Sequence, residues 1–205
     1  MCHWNIVNWN CIIRKETLEE KLPAEEKHAL SRLQKELSEQ KKVGLLFTDA
    51  DLEKDITFFL SGHHVKPEEC MLLATEPEEV AWAKKDADAD SDSDQLTIIG
   101  YEVPDFSKQM PLSNVDMLLL GLEEVDTEFL LRTFQRKHHL PWRILETKRC
   151  YLREITLDDM DDLFDLYNKK GISDYIEPLY ERQEEEEYQR AYIENMYGYY
   201  GYGMW

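Results

Sequence analysis

The sequence predicts an α/β protein: a mostly parallel sheet domain covered by helices in three layers, followed by a smaller α+β part. Three observations carry this. Runs such as Val43–Thr48, Cys70–Ala74 and Leu96–Ile99 are apolar throughout, the pattern of strands buried on both faces. Helical periodicities separate these runs, so strand and helix alternate along the chain. From Arg149 the order changes to one alternating strand, an acidic helix, a tyrosine-rich connection and a second helix.

Composition narrows the function classes. A chain of 205 residues holds one large domain or two small ones, and 42% hydrophobic content supports a core. The formal net charge of −19 argues against nucleic acid and against anionic membrane surfaces as partners. No apolar run reaches the length of a membrane span, and the first residues lack a signal-peptide pattern, so the expected compartment is the cytoplasm. Cys2, Cys11, Cys70 and Cys150 are widely spaced and form no C-x-x-C pair, which predicts reduced, packed thiols. His63-His64 and His138-His139 are adjacent pairs whose members point different ways, so no metal site is expected.

In order, residues 1–42 form an N-terminal strand within Asn5–Arg14 and a charged helix. Pro23 opens that helix, and Leu30, Leu33 and Leu37 form its apolar stripe. Residues 43–147 form the α/β domain. Its first strand is Val43–Thr48. A helix marked by Leu52, Ile56 and Leu60 stops at Gly62. Strand Cys70–Ala74, helix Pro77–Lys85, strands Leu96–Ile99 and Met117–Leu120, and helix Asp126–Lys137 follow. Trp142–Leu145 closes the series as a last strand. Asp86–Asp94 alternates Asp with Ala and Ser. It lacks the glycine and the terminal glutamate of a calcium loop, and reads as an acidic surface loop. Leu140–Arg149 joins the two parts without a Gly/Ser-rich linker.

Residues 148–205 form the second part. Arg149–Thr156 alternates as a strand, and Leu157, Met160, Leu163, Phe164 and Tyr167 share one face of the helix after it. Thr156 and Asp159 have capping-box spacing. A helix over Glu184–Tyr197 leads to the glycine-spaced Gly198-Tyr-Tyr-Gly-Tyr-Gly-Met-Trp205. This succession resembles the N-terminal part of GNAT-type acyl-CoA N-acyltransferases, with the aromatic end as the second strand of the acyltransferase sheet. The resemblance implies transfer of an acetyl group from acetyl-CoA to a small-molecule or peptide amine. The family's Gln/Arg-x-x-Gly-x-Gly/Ala loop, which cradles the pyrophosphate with backbone N–H groups at a helix N-terminus, is absent from these 205 residues. The expectation is therefore an incomplete, truncated acyltransferase domain. Acetyl-CoA would belong to the full-length family member, and this chain would hold no cofactor, no metal and no catalytic residue. What remains is the acceptor side. In the family the first two helices and their connection wall the amine cleft, which makes Asp174, Tyr175, Glu177 and Tyr180 candidates, the carboxylates suiting a cationic amine.

Residues 43–125 resemble a reduced, Rossmann-like haloacid-dehalogenase fold. The match rests on Leu45-Leu-Phe-Thr-Asp49-Ala-Asp51, Pro67–Ala74, Ala81 with Ala83, and Thr97–Tyr101. In that family the first aspartate of D-x-D is the nucleophile and the second the acid/base, working with Mg²⁺. Here Leu52 follows Asp51, and Ala74-Thr-Glu76 stands where a Gly-Asp metal motif would be, so Asp49 and Asp51 read as vestigial positions that cap the following helix. The alternative to an acyltransferase is a non-catalytic interaction or regulatory module on this degenerate phosphatase-like scaffold. An active phosphohydrolase using Asp49 and Asp51 ranks last.

Overall fold

The computed structural model describes residues 9–14, 22–40, 43–48, 52–84, 96–103, 112–172 and 174–204. The chain divides into two compact units, Met1–Lys137 and His138–Trp205.

Among its described residues, unit 1 is built on five strands: β1 (Trp9–Arg14), β2 (Val43–Thr48), β3 (Cys70–Ala74), β4 (Thr97–Tyr101) and β5 (Met117–Leu119), in the order β2-β1-β3-β4-β5. Every neighbouring pair is parallel. Parallel neighbours need crossovers, and among the described residues four helices occur between or after the strands: α1 (Ala24–Glu39), α2 (Leu52–His63), α3 (Pro77–Ala83) and α4 (Thr127–Lys137). The pleat sends alternate side chains to opposite faces. Cys11, Ile13, Met71, Leu73, Ile99 and Tyr101 meet Leu30, Leu33 and Leu37 of α1 and Leu130 and Phe134 of α4. Ile12, Cys70, Leu72, Ala74 and Ile98 meet Ile56 and Phe59 of α2 and Val80 of α3 on the other face. Three layers and apolar strands thus explain each other. Each fully buried leucine or isoleucine contributes about 2 kcal/mol.

Two placements differ from the sequence reading. Residues 1–42 do not stand apart, because β1 lies inside the sheet between β2 and β3. Trp142–Leu145 does not close that sheet. Instead β6 (Arg143–Glu146) pairs antiparallel with β7 (Tyr151–Arg153) in unit 2. The polar turn between them explains the hairpin. The Thr147 hydroxyl donates to the Cys150 carbonyl at 2.9 Å and accepts the Cys150 N–H at 3.1 Å, and the Thr147 N–H reaches the Cys150 carbonyl at 2.7 Å. So short a link turns the chain straight back.

After β7 the Thr156–Asp159 cap forms. The Asp159 carboxylate accepts the Thr156 N–H at 2.8 Å, and Arg153 grips the same carboxylate with both guanidinium nitrogens. A 3₁₀ turn, Leu157–Asp159, runs into α5 (Met160–Tyr167), which buries Met160 and leaves its aspartates Asp161, Asp162 and Asp165 exposed. Helix α6 (Arg182–Tyr192) then continues as a π-helix over Ile193–Tyr200. This corrects the strand expected at the aromatic end: the chain stays helical to Tyr200, turns at Gly201 with φ of 79°, and residues 202–204 form no strand. The Asn195 side chain occupies the Ala191 carbonyl at 2.7 Å, a side-chain competitor for the helix's own ladder near the start of the wider turns.

Candidate functional site

In an open parallel sheet, ligands bind beyond the carboxyl ends of the strands, where the strand order reverses. Here the reversal falls between β1 and β3. The residues after β3 are engaged locally. Glu79, 3% exposed, turns its carboxylate back onto the Thr75 N–H at 2.7 Å and the Glu76 N–H at 3.2 Å. Glu76 is therefore the N-cap of α3. Asp49 and Asp51 lie outside the described residues, in the stretch after the edge strand β2.

The same edge carries a buried carboxylate that sequence reasoning missed. Glu26, in the first turn of α1 and 8% exposed, accepts the Tyr101 hydroxyl at 2.8 Å and the Leu122 N–H at 2.9 Å, both through Oε2. Burial, then the neighbouring Glu26, pushes the Tyr101 phenol far up, so Tyr101 stays protonated and donates. A Cβ at Gly121 would come within 3.3 Å of Glu26 Oε1. Beside this contact Arg32 donates to the carbonyls of Glu123 at 2.7 Å and Val125 at 3.0 Å. The pair fastens the start of α1 to the ends of β4 and β5. The carboxylate is enclosed, with both known donors supplied by the chain, so its chemistry is that of a fixed acceptor. A signal for it existed: Glu26 stands on the same helical stripe as Leu30, Leu33 and Leu37.

The thiols follow burial. Cys11 and Cys70 are free and buried on opposite faces of the sheet. Burial above all pushes each up to about 12. Cys150 is free and exposed in the β6–β7 turn rather than packed. Among the described residues no group of His, Cys, Asp and Glu is arranged to hold a metal ion, and no helix is long and apolar enough to cross a membrane.

In unit 2, Asp174, Tyr175, Glu177 and Tyr180 are all exposed in the connection between α5 and α6. Tyr175 is 93% exposed. Tyr180 packs its ring 5.9 Å from Tyr188 and gives its N–H to Glu185. No hydrogen bond or ring contact among the described residues joins the four to one another. Glu185, which the sequence presents as one of four equivalent acids, is buried. It accepts the Tyr180 N–H at 3.1 Å and the Gln189 amide at 2.8 Å, tying the connection to α6. Its spacing to Gln189 and Tyr197 along the inward face marks it only once the helix is oriented.

Comparison with protein-family models, with curated proteins and with solved structures returns no match for this chain.

Proposed function

We propose that unit 2 is the acceptor-side portion of a GNAT-type N-acyltransferase, which passes an acetyl group from acetyl-CoA to an amine, and that unit 1 is an accessory α/β domain. The observation that carries this reading is the α5–α6 connection. Its two carboxylates and two tyrosines are all exposed, although Tyr180 also meets Tyr188 of α6, as the wall of an open amine cleft requires. Asp174 and Glu177 would draw in an ammonium group, and Tyr175 and Tyr180 would supply ring faces to its carbon chain. Acyl transfer also needs an oxyanion donor and a cradle for the pyrophosphate. These 205 residues hold no glycine loop for the cradle, so the reading assigns that half to a further segment. The doubly wound strand order supports a Rossmann-like reading of unit 1, and the reading carries with it a cytoplasmic setting.

A second reading, a non-catalytic interaction module, is favoured by one observation: the aromatic end is π-helical with exposed tyrosines where the acyltransferase sheet would need a strand. The nucleotide sequence downstream of the Trp205 codon discriminates. An open frame encoding more strands and a glycine-rich pyrophosphate loop supports the acyltransferase; a stop codon directly after Trp205 supports the module. Calorimetric titration of this chain with acetyl-CoA is expected to give binding no tighter than millimolar. A micromolar constant, worth about −8 kcal/mol, would mean that the cofactor site lies within these residues after all.

A further inference from the structure

Eight of the chain's 11 tyrosines lie between residues 175 and 202. Their rings touch in two runs. Tyr180, Tyr188 and Tyr192 follow one another at 5.9 and 6.4 Å. Tyr199, Tyr200 and Tyr202 follow at 5.0 and 6.2 Å. The Met204 N–H bonds to the Tyr192 hydroxyl at 2.6 Å, which draws the end of the second run to the first. Of these rings Tyr199 is 82% exposed, and Tyr180, Tyr188, Tyr200 and Tyr202 are also exposed. Exposed aromatic rings grouped in this way mark an interaction site.

The charges around it select the partner. Residues 174–204 hold eight Asp and Glu against two Arg. Glu184 stands four residues before Tyr188 in α6, and Glu194 five before Tyr199 in the π-helix, spacings that share a face in each helix type. Unit 2 already shows what such pairs of ring and carboxylate hold. Arg143 lies 5.0 Å over the Tyr151 ring and 2.7 Å from Glu146. Arg182 lies 5.7 Å over Phe164 and 2.6 Å from Asp161. In both, one guanidinium serves a ring face and a carboxylate at once.

We propose that the tyrosine-and-carboxylate face of α6 and its π-helical continuation docks an arginine-rich segment of a partner protein. The inference shares Tyr180 with the acyltransferase reading but needs neither acetyl-CoA nor an amine cleft, since the docking face lies on α6 and its continuation. A second copy of this chain, nucleic acid and anionic membranes all carry the same sign of charge as this face and are repelled. Arginine is preferred to lysine because its planar, weakly hydrated guanidinium stacks on rings while bonding carboxylates.

The test is fluorescence-anisotropy titration of the whole chain with labelled octa-arginine and octa-lysine peptides, at low and high salt. Octa-arginine is expected to bind several-fold more tightly than octa-lysine, and part of its affinity should survive high salt. The double variant Tyr199→Leu/Tyr202→Leu keeps apolar bulk but removes the ring faces. It should weaken octa-arginine binding by roughly five- to tenfold while leaving octa-lysine nearly unchanged. Tyr188→Leu serves as a second variant should the double one fail to fold. Equal affinity for the two peptides, or indifference to the tyrosine substitutions, overturns the proposal, because charge alone then explains binding. Self-association of the chain on sedimentation, lost in the tyrosine variant, overturns it in favour of a second copy.

Discussion

Carboxylates withdrawn from water are costly, and Glu26 and Asp159 are each held by donors of the chain. Glu26 is the acceptor of Tyr101 and Leu122. Glu26→Ala would leave a buried hydroxyl and a buried N–H without that acceptor, and is expected to lower stability by about 2–4 kcal/mol in urea unfolding. Tyr101→Phe leaves Glu26 its Leu122 N–H and should cost only about 1 kcal/mol. Equal losses for the two would mean that the hydroxyl, not the N–H, dominates. At Asp159, burial alone would raise the pKa, but the Arg153 guanidinium and the Thr156 N–H and hydroxyl outweigh it and hold the carboxyl below its ordinary 3.8. A folded value below the unfolded one stabilises at pH above the unfolded value, and the gain disappears as pH falls through the folded value. Asp159→Asn should therefore melt lower than the parent at neutral pH, and the gap should close below about pH 4. A gap unchanged by acid would place the effect in shape rather than charge.

The helices and strands of unit 1 were legible because their signals are local: Leu30, Leu33 and Leu37 repeat at helical spacing, and Cys70–Ala74 is apolar without interruption. Two elements were misplaced for physical reasons. The Ile144-Leu145 pair within Arg143–Glu146 suggests a strand but not its partner, and the partner is chosen by the four-residue turn that follows. The aromatic end has strand-like composition, with tyrosines that favour sheets. What a single sequence does not reveal is that Tyr197 becomes a buried post, accepting the Ile155 N–H at 3.3 Å and donating to the Met204 carbonyl. Gly203 lets the end fold over that post: a Cβ there would lie 2.5 Å from the Tyr197 ring and 2.8 Å from the Tyr192 hydroxyl. Gly203→Ala is accordingly expected to cost about 1–3 kcal/mol by thermal melting. A neutral substitution would mean that residues 201–204 do not close onto the helix.

Across the whole molecule the acidic surplus is uneven, and the segment Asp86–Asp94, outside the described residues, concentrates it. Alternating Asp with Ala and Ser buries no apolar surface, and shortening a loop changes closure entropy slowly. Deleting it should leave the melting temperature within a few degrees of the parent; a large drop, or stabilisation of the parent by calcium, would give the segment a structural role. The candidate acceptor residues were chosen by their place between two helices, as the acyltransferase resemblance implies, whereas Glu26 was missed although it stands on the stripe of Leu30, Leu33 and Leu37, and Glu185 because in sequence it looks like its exposed neighbours. The inner place of β1 has one more effect, on assembly. β1 is synthesised before both of its neighbours and leaves the ribosome with two open edges, which β2 and β3 later occupy from opposite sides. Until β3 arrives the nascent sheet has no middle, and the two crossovers built around β1 stand or fall together. A chain lacking β1 would keep a strand-wide gap between β2 and β3. A synthetic peptide of that one strand is the matching piece.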